Sequence, residues 1–354
     1  MAASPTPSLF PGVPSATDAA EHTGIARLAA SSPCARSKSD TEYFLLPVRS
    51  ILNRCDSGRV PFSWTVNPYR GCEFGCHYCY ARYTHEFMDL SGSEFEKKIF
   101  VKQNAAAIFD RDLADHAGSL SPVTGNVSPE SIAIGTATDP YQPAEREFGV
   151  TRSLLERIAE RSGISLSITT KSNLITRDVD LLRRIAAQND LSINITVTTL
   201  RPRLARLLEP RAPRPDLRLA ALRSLRDAGL AAGVFAMPVL PGLTDREADL
   251  DKLFLAARNA GAQWLGAQVL FLRSSSLQQF LSFLEGKSPK LARDYRKWFA
   301  RTGYAPEKIR REITARVRAL REKHGLASRP YAPDRLARAG ACLDPPQLSL
   351  PLAV

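Results

Sequence analysis

The 354-residue chain is long enough for one large α/β barrel or for two domains. Its composition, 44% hydrophobic and 24% charged, is that of an ordinary globular protein. There is no long apolar run and no charged-then-apolar leader, so a membrane partner is not expected and a cytoplasmic, thiol-reducing setting is. The net charge of +12 is concentrated in residues 287–323, where thirteen Lys or Arg face four acids. Such a stripe suits a polyanion such as DNA, with a solvated helix face as the plain alternative.

Residues 1–40 are rich in Pro, Ser and Ala without apolar periodicity, which predicts a disordered segment. An apolar lead-in begins at Tyr43 and is expected to pack beneath the body of the fold. Residues 62–66 alternate like a strand. Residues 80–88 read as a short helix, 96–102 as a strand and 105–116 as a helix.

A strand–helix rhythm follows. Strands are predicted at 131–135, 165–170, 191–198, 232–237 and 264–271. Helices are predicted at 144–161, 178–188, two after 198 of which the second spans 215–229, and 246–259. Alternation of this kind means parallel strands, and with 62–66 it makes six units of an open, partial (β/α)6 TIM-like barrel. Helices at 276–285, 289–301 and 306–323 form a C-terminal helical extension. The expected division is 1–40 disordered, 41–275 barrel, 276–325 basic extension and 326–354 tail.

The densest chemistry lies at 67–82, N-P-Y-R-G-C-E-F-G-C-H-Y-C-Y-A-R. Cys72, Cys76 and Cys79 fall within eight residues, and Gly71 and Gly75 loosen the backbone around them. Three thiolates on so short a loop can converge on a soft metal centre. Iron–sulfur cubanes usually take four, so three leave one iron open to a ligand. A structural zinc site would want a fourth ligand from a second knuckle or a His pair, and only His77 lies in the loop. Cys34, Cys55 and Cys342 are scattered and read as unpaired thiols.

The C-x3-C-x2-C spacing with an aromatic residue before the last cysteine resembles the signature of the radical S-adenosylmethionine (SAM) enzymes. Further motifs narrow the likeness: G-T-x-T-D-P-Y-Q-P-x-E, T-K-S-x-L-I-x-R-D, E-P-R-A-P and P-x-x-P-G-L-T-D. Together they resemble the spore photoproduct lyase-like group, often labelled DNA repair photolyases, over roughly residues 45–300. The resemblance implies the partial barrel, a 4Fe–4S cluster on Cys72, Cys76 and Cys79, SAM as cofactor and an external electron donor. It implies a SAM pocket from Tyr78 near the adenine together with Gly135, Thr136, Lys171 and Thr199 at the strand ends. Lys171 would meet the SAM carboxylate. Gly135 and Thr136 would offer backbone to its amine, with Asp139 in a backbone rather than a side-chain role. Hydroxyls near Thr199, with Glu209, would hold the ribose.

The lyase of this group returns hydrogen from a cysteine outside the cluster. No cysteine occurs here between Cys79 and Cys342, so only the radical initiation carries over. The expected function is reductive SAM cleavage that starts radical chemistry of a lyase-like kind on a nucleic acid. The alternatives are a peptide or small-molecule substrate, or a non-catalytic metal-binding protein that binds nucleic acid. Tyr295, Trp298 and Phe299 interleave with the basic stripe and are candidates for base stacking or for core. In the tail, Gln347, Leu348, Leu350 and Leu352 resemble the short motif by which bacterial proteins dock on the replicative sliding clamp.

Overall fold

The computed structural model describes residues 22–56, 60–116 and 131–328. Its strands in chain order are β1 (Cys34–Lys38), β2 (Thr41–Leu46), β3 (Leu52–Arg54), β4 (Trp64–Val66), β5 (Tyr69–Arg70), β6 (Lys98–Lys102), β7 (Ser131–Ile134), β8 (Ser165–Thr170), β9 (Asp190–Thr196), β10 (Ala232–Val239) and β11 (Leu265–Val269). They form a 7-stranded sheet in the order β11-β10-β9-β8-β7-β4-β3 and a 4-stranded sheet in the order β1-β2-β6-β5.

From β4 to β11 every neighbouring pair in the larger sheet is parallel; β3 joins its edge antiparallel to β4. The run β4, β7, β8, β9, β10, β11 is the predicted series of strands. β8 alternates half-buried and buried residues, and its register sets Ile168 beside Ile193 and Thr170 beside Ile195. Ile168, Ile193, Ile195 and Val234 are wholly buried, as sheet strands covered by helices require. The covering helices bury amphipathic faces: Leu154, Leu155 and Ile158 from Val150–Ala159, and Leu250, Leu253 and Phe254 from Glu247–Asn259. The helix predicted across 144–161 is divided by Gly149 in left-handed conformation, into Glu145–Phe148 and Val150–Ala159.

Two expectations are revised. Disorder does not extend to residue 40: Gly24–Ala30 is a helix whose Ala29 packs with Leu46, Met88 and Phe100, and β1 pairs antiparallel with β2. Every residue of β1 is exposed, so its place rests on backbone hydrogen bonds and left no apolar period to read. Second, the apolar lead-in does more than pack beneath the body: its first part is β2, which pairs in the smaller sheet with the expected strand at 96–102, and its end is β3 on the edge of the larger sheet. The expected helical extension is present and packs into the same core as the barrel. Phe280, Leu284, Ala292, Tyr295, Phe299, Ile313, Val317 and Leu320 belong to the cluster that holds the barrel strands. The proposed clamp-docking residues Gln347–Leu352 and Cys342 lie outside the described residues. No helix among the described residues is long and apolar enough to cross a membrane.

Candidate active site around the cysteine loop

The cysteine loop leaves the carboxyl end of β4, the first parallel strand, which is where chemistry collects in such folds. Asn67 fixes the exit. Its amide donates to Thr136 Oγ1 at 3.1 Å, and its carbonyl oxygen accepts the Ala137 N–H at 2.7 Å, joining the ends of β4 and β7. β5 then pairs with β6, and Gly71 turns the chain at φ +81. A Cβ there would lie 2.7 Å from the Lys98 carbonyl oxygen, so a side chain is excluded.

The segment after β7 grips this turn. Thr138 Oγ1 donates to the Gly71 carbonyl at 2.6 Å, and Gln142 Nε2 to the same oxygen at 3.2 Å. Glu73 is buried and accepts from the Tyr43 hydroxyl at 2.8 Å and the Ala144 N–H at 2.6 Å. On the other side, fully buried Arg82 donates to the carbonyls of Cys76 at 3.1 Å and Gly92 at 2.8 Å, and pairs with Glu96 at 2.6 Å. The loop is therefore fixed on both flanks before any metal is considered.

Within it, Cys72 and Cys76 are buried, Cys79 is half-buried, and all three are free thiols. Burial pushes the Cys72 thiol well above its ordinary pKa, with Asp139 and the Cys76 thiol adding to it. Burial pushes Cys76 up to about 12, against the pull of Lys171. Cys79 is raised by burial and opposed by Arg82 and Lys171. Three desolvated thiols that disfavour one another's charge become thiolates when a cationic centre compensates them, which is the donor chemistry of an iron–sulfur site. Among the described residues no three His, Cys, Asp or Glu side chains, the three cysteines included, stand close enough together to hold a metal ion.

Lys171 and Tyr78 come together: the ammonium lies 5.9 Å from the centroid of the Tyr78 ring. The Tyr78 hydroxyl donates to Glu209, which also accepts from Thr198 Oγ1 at 3.0 Å and pairs with Arg218. Burial works against the charge on Glu209, but Arg218 and Lys171 hold its carboxyl below the usual range. These partners fix Glu209 and, through it, the Tyr78 ring. The sequence pattern does not reveal this network. Its one signal is Arg218, which sits among Pro215, Ala221, Leu222 and Leu225 on the buried face of its helix.

Gly135 has φ +92, and a Cβ on it would stand 2.5 Å from the Thr169 carbonyl, so the β7 loop crosses the end of β8 at backbone contact. The Thr136 carbonyl accepts the Tyr80 hydroxyl, which brings this loop against the last cysteine. Asp139 uses its carboxylate: it accepts from Thr170 Oγ1 at 2.6 Å, the Lys171 N–H at 2.7 Å and the Tyr141 N–H at 3.0 Å. Its side chain thus sets the end of β8 and so the place of the Lys171 backbone. Thr199 is buried and its Oγ1 accepts the Arg201 N–H at 3.2 Å, within its own turn.

The first extension helix, Ser274–Glu285, closes over the loop, with Phe283 stacked on His77 at 4.3 Å and 15°. Tyr295 is wholly buried and donates to the Pro241 carbonyl at 2.9 Å, and Phe299 is buried beside it. Neither ring can stack on a base; they are core. Lys287, Lys290, Arg293, Lys297 and Arg318 are exposed.

Residues 66–254 match the profile of the Radical SAM superfamily. An uncharacterized protein of Mycobacterium tuberculosis is 36% identical over 290 residues, covering 81% of this chain and 82% of that protein. One of Methanocaldococcus jannaschii is 28% identical over 184 residues, covering 52% of this chain and 63% of its own. Among solved structures, spore photoproduct lyase complexed with dinucleoside spore photoproduct superposes with TM-score 0.62 at 17% identity, covering 89% of this chain and 85% of the lyase. A variant of that lyase with bound AdoMet and dinucleoside spore photoproduct gives 0.58 at 16% identity, with the same shares covered.

Proposed function

The chain belongs to the radical SAM superfamily and is an enzyme of that kind, and from this premise we propose that it cleaves SAM reductively at a 4Fe–4S cluster held by Cys72, Cys76 and Cys79. The observation that carries the reading is the set of three free thiols, two buried and one half-buried, on one loop held on both flanks at the carboxyl end of the first parallel strand. When bound, the cofactors supply one-electron cleavage of a sulfonium bond and a radical able to abstract hydrogen.

The chain supplies binding, orientation and dryness. The Asp139 clamp on its backbone and the nearness of its ammonium to the Tyr78 ring support Lys171 as the group that meets the SAM carboxylate. Gly135 and Thr136 present backbone beside Tyr80 for the SAM amine. The Tyr78 ring, fixed through Glu209 and Arg218, forms a wall for the adenine, and Thr199 lies on the neighbouring loop toward the ribose. Helix Ser274–Glu285 excludes water from one side of the loop. An external one-electron donor is required.

A nucleic-acid substrate is supported by the net charge of +12, the exposed cations of the extension and the shared fold with a lyase complexed with a dinucleoside. Anaerobic reconstitution with iron and sulfide tests the proposal. A brown protein that forms 5′-deoxyadenosine from SAM on reduction is expected. A colourless protein with one tight zinc per chain would overturn it.

A further inference from the structure

Two cations lie beside the cysteine loop without a partner acid among the described residues. Arg70 in β5 stands opposite Phe100 in β6, and Lys102 follows two residues along, so both side chains emerge on the same face of the smaller sheet. Lys102 is 6% exposed, and its backbone N–H donates to the Pro68 carbonyl, which sets it against the exit of β4. Its ammonium has neither a hydrogen bond nor an ion pair among the described residues; the charge that acts on it is that of Arg70. Arg70 is partly exposed, its Nε is buried without a hydrogen-bond partner, and one of its terminal nitrogens makes a long 3.4 Å bond to the Thr84 carbonyl. The Tyr83 phenol lies within its field.

The nearby carboxylates are taken. Glu94 pairs with Lys98 at 2.9 Å and caps Ser91, and Glu96 pairs with Arg82 at 2.6 Å. Nor do the two cations serve the cysteine thiols, whose cationic neighbours are Lys171 and Arg82. Burying an ammonium beside a guanidinium, with no anion, is costly in a protein interior. Burial together with Arg70 already pushes the Lys102 ammonium down to about 7.

We infer that Arg70 and Lys102 form an oxyanion pocket that receives a phosphate group next to the cysteine loop. A guanidinium fork beside a lysine point charge, with a phenol at hand, matches the several oxygens of a phosphate better than a lone carboxylate. Two sources share this chemistry, a phosphodiester of a bound nucleic acid and free phosphate. The first rests on the proposed function and would anchor the substrate backbone beside the radical centre.

The test is calorimetric titration of the full-length, cluster-loaded protein with sodium phosphate at ionic strength held constant with sodium chloride. Saturable binding is expected, weakened by about tenfold or more in Lys102→Met and restored in Lys102→Arg, with Arg70→Gln as a second lesion. Phosphate heats equal to those of chloride, or a Lys102→Met protein that binds phosphate as the wild type does, overturn the pocket. A thymidine tetranucleotide supplies the second arm. Displacement of phosphate by the tetranucleotide identifies a phosphodiester, and phosphate binding without displacement identifies the free anion. The titration needs no turnover, so a wild-type protein that cleaves SAM but ignores phosphate rejects the pocket alone. One that binds phosphate but forms no 5′-deoxyadenosine from SAM on reduction rejects the radical reading alone.

Discussion

The Tyr78 hydroxyl donates to the Glu209 carboxylate, and through that bond the cysteine loop is tied to the carboxyl end of helix Pro202–Leu208, residues 131 positions apart in sequence. Glu209 is at once paired with Arg218, and all three side chains are buried. The two halves of the network differ in consequence. Tyr78→Phe removes one hydrogen bond to a charged group and leaves the ion pair intact, costing about 1.5–3 kcal/mol. Glu209→Gln leaves Arg218 buried and uncompensated, costing about 3–5 kcal/mol. Urea unfolding of the metal-free proteins should rank them in that order. The reverse order would mean that the ion pair does not hold the network.

The cluster assignment is separable from general thiol chemistry. Replacing Cys72, Cys76 or Cys79 by Ala should abolish iron retention and SAM cleavage. Cys34→Ala, Cys55→Ala and Cys342→Ala should leave both intact, read by iron content and visible absorbance after anaerobic reconstitution. Cys55 is the demanding control because it too is a buried free thiol. Loss of iron in Cys55→Ala would reject a three-thiolate centre.

Lys171 is proposed to meet the SAM carboxylate, and iron content separates that role from its pull on the Cys76 and Cys79 thiols. Asp139 holds the Lys171 backbone rather than its ammonium, so Lys171→Met leaves the clamp in place. Iron content should stay at the wild-type level while equilibrium SAM binding weakens by about tenfold or more, some 1.4 kcal/mol. Unchanged SAM affinity would remove Lys171 from the pocket. Asp139→Asn should act less directly, weakening SAM binding through the displaced end of β8.

What is legible in the sequence follows from where the information sits. The six parallel strands are readable because Ile132, Ile168, Ile193 and Val234 are core residues in short apolar runs between polar helix starts. The cysteine loop is readable because its ligands are local. β1 is not, since all five of its residues face outward and its pairing with β2 is made by backbone alone. The roles of Glu209 and Asp139 escape the sequence for a related reason. Both look like free acids on polar loops, and only tertiary contact with Arg218, Tyr78, Thr170 and Lys171 shows them filled. Tyr295 and Phe299 cannot be sorted between core and surface on a helix whose charges surround them; burial against the Pro241 turn decides it.

In the basic extension, stability and electrostatics rest on different residues. Tyr295 is wholly buried, so Tyr295→Ala should cost about 3–5 kcal/mol of stability, as truncation of a large core aromatic does. Any loss of nucleic-acid binding in that variant should follow its unfolding. The electrostatic contribution lies in the cations. Arg318 is exposed, Arg311 is exposed and shares Glu307, and Arg310 lies 5.7 Å from the Tyr304 ring centroid while donating to the Ala305 carbonyl. Replacing all three by Gln should leave the fold intact, since their interactions are at the surface and each is worth little. If the extension binds single-stranded nucleic acid, wild-type affinity should fall steeply with salt. For every phosphate that the triple variant no longer neutralises, the logarithmic salt slope should become shallower by about 0.7. Because Arg311 is partly neutralised by Glu307, Arg318→Gln alone should account for more of the change than Arg311→Gln alone. Fluorescence anisotropy with a labelled oligonucleotide at several salt concentrations reads both quantities. A triple variant with wild-type affinity and slope would place the nucleic-acid surface elsewhere, and the exposed cations of helix Pro289–Trp298 would be the next to neutralise.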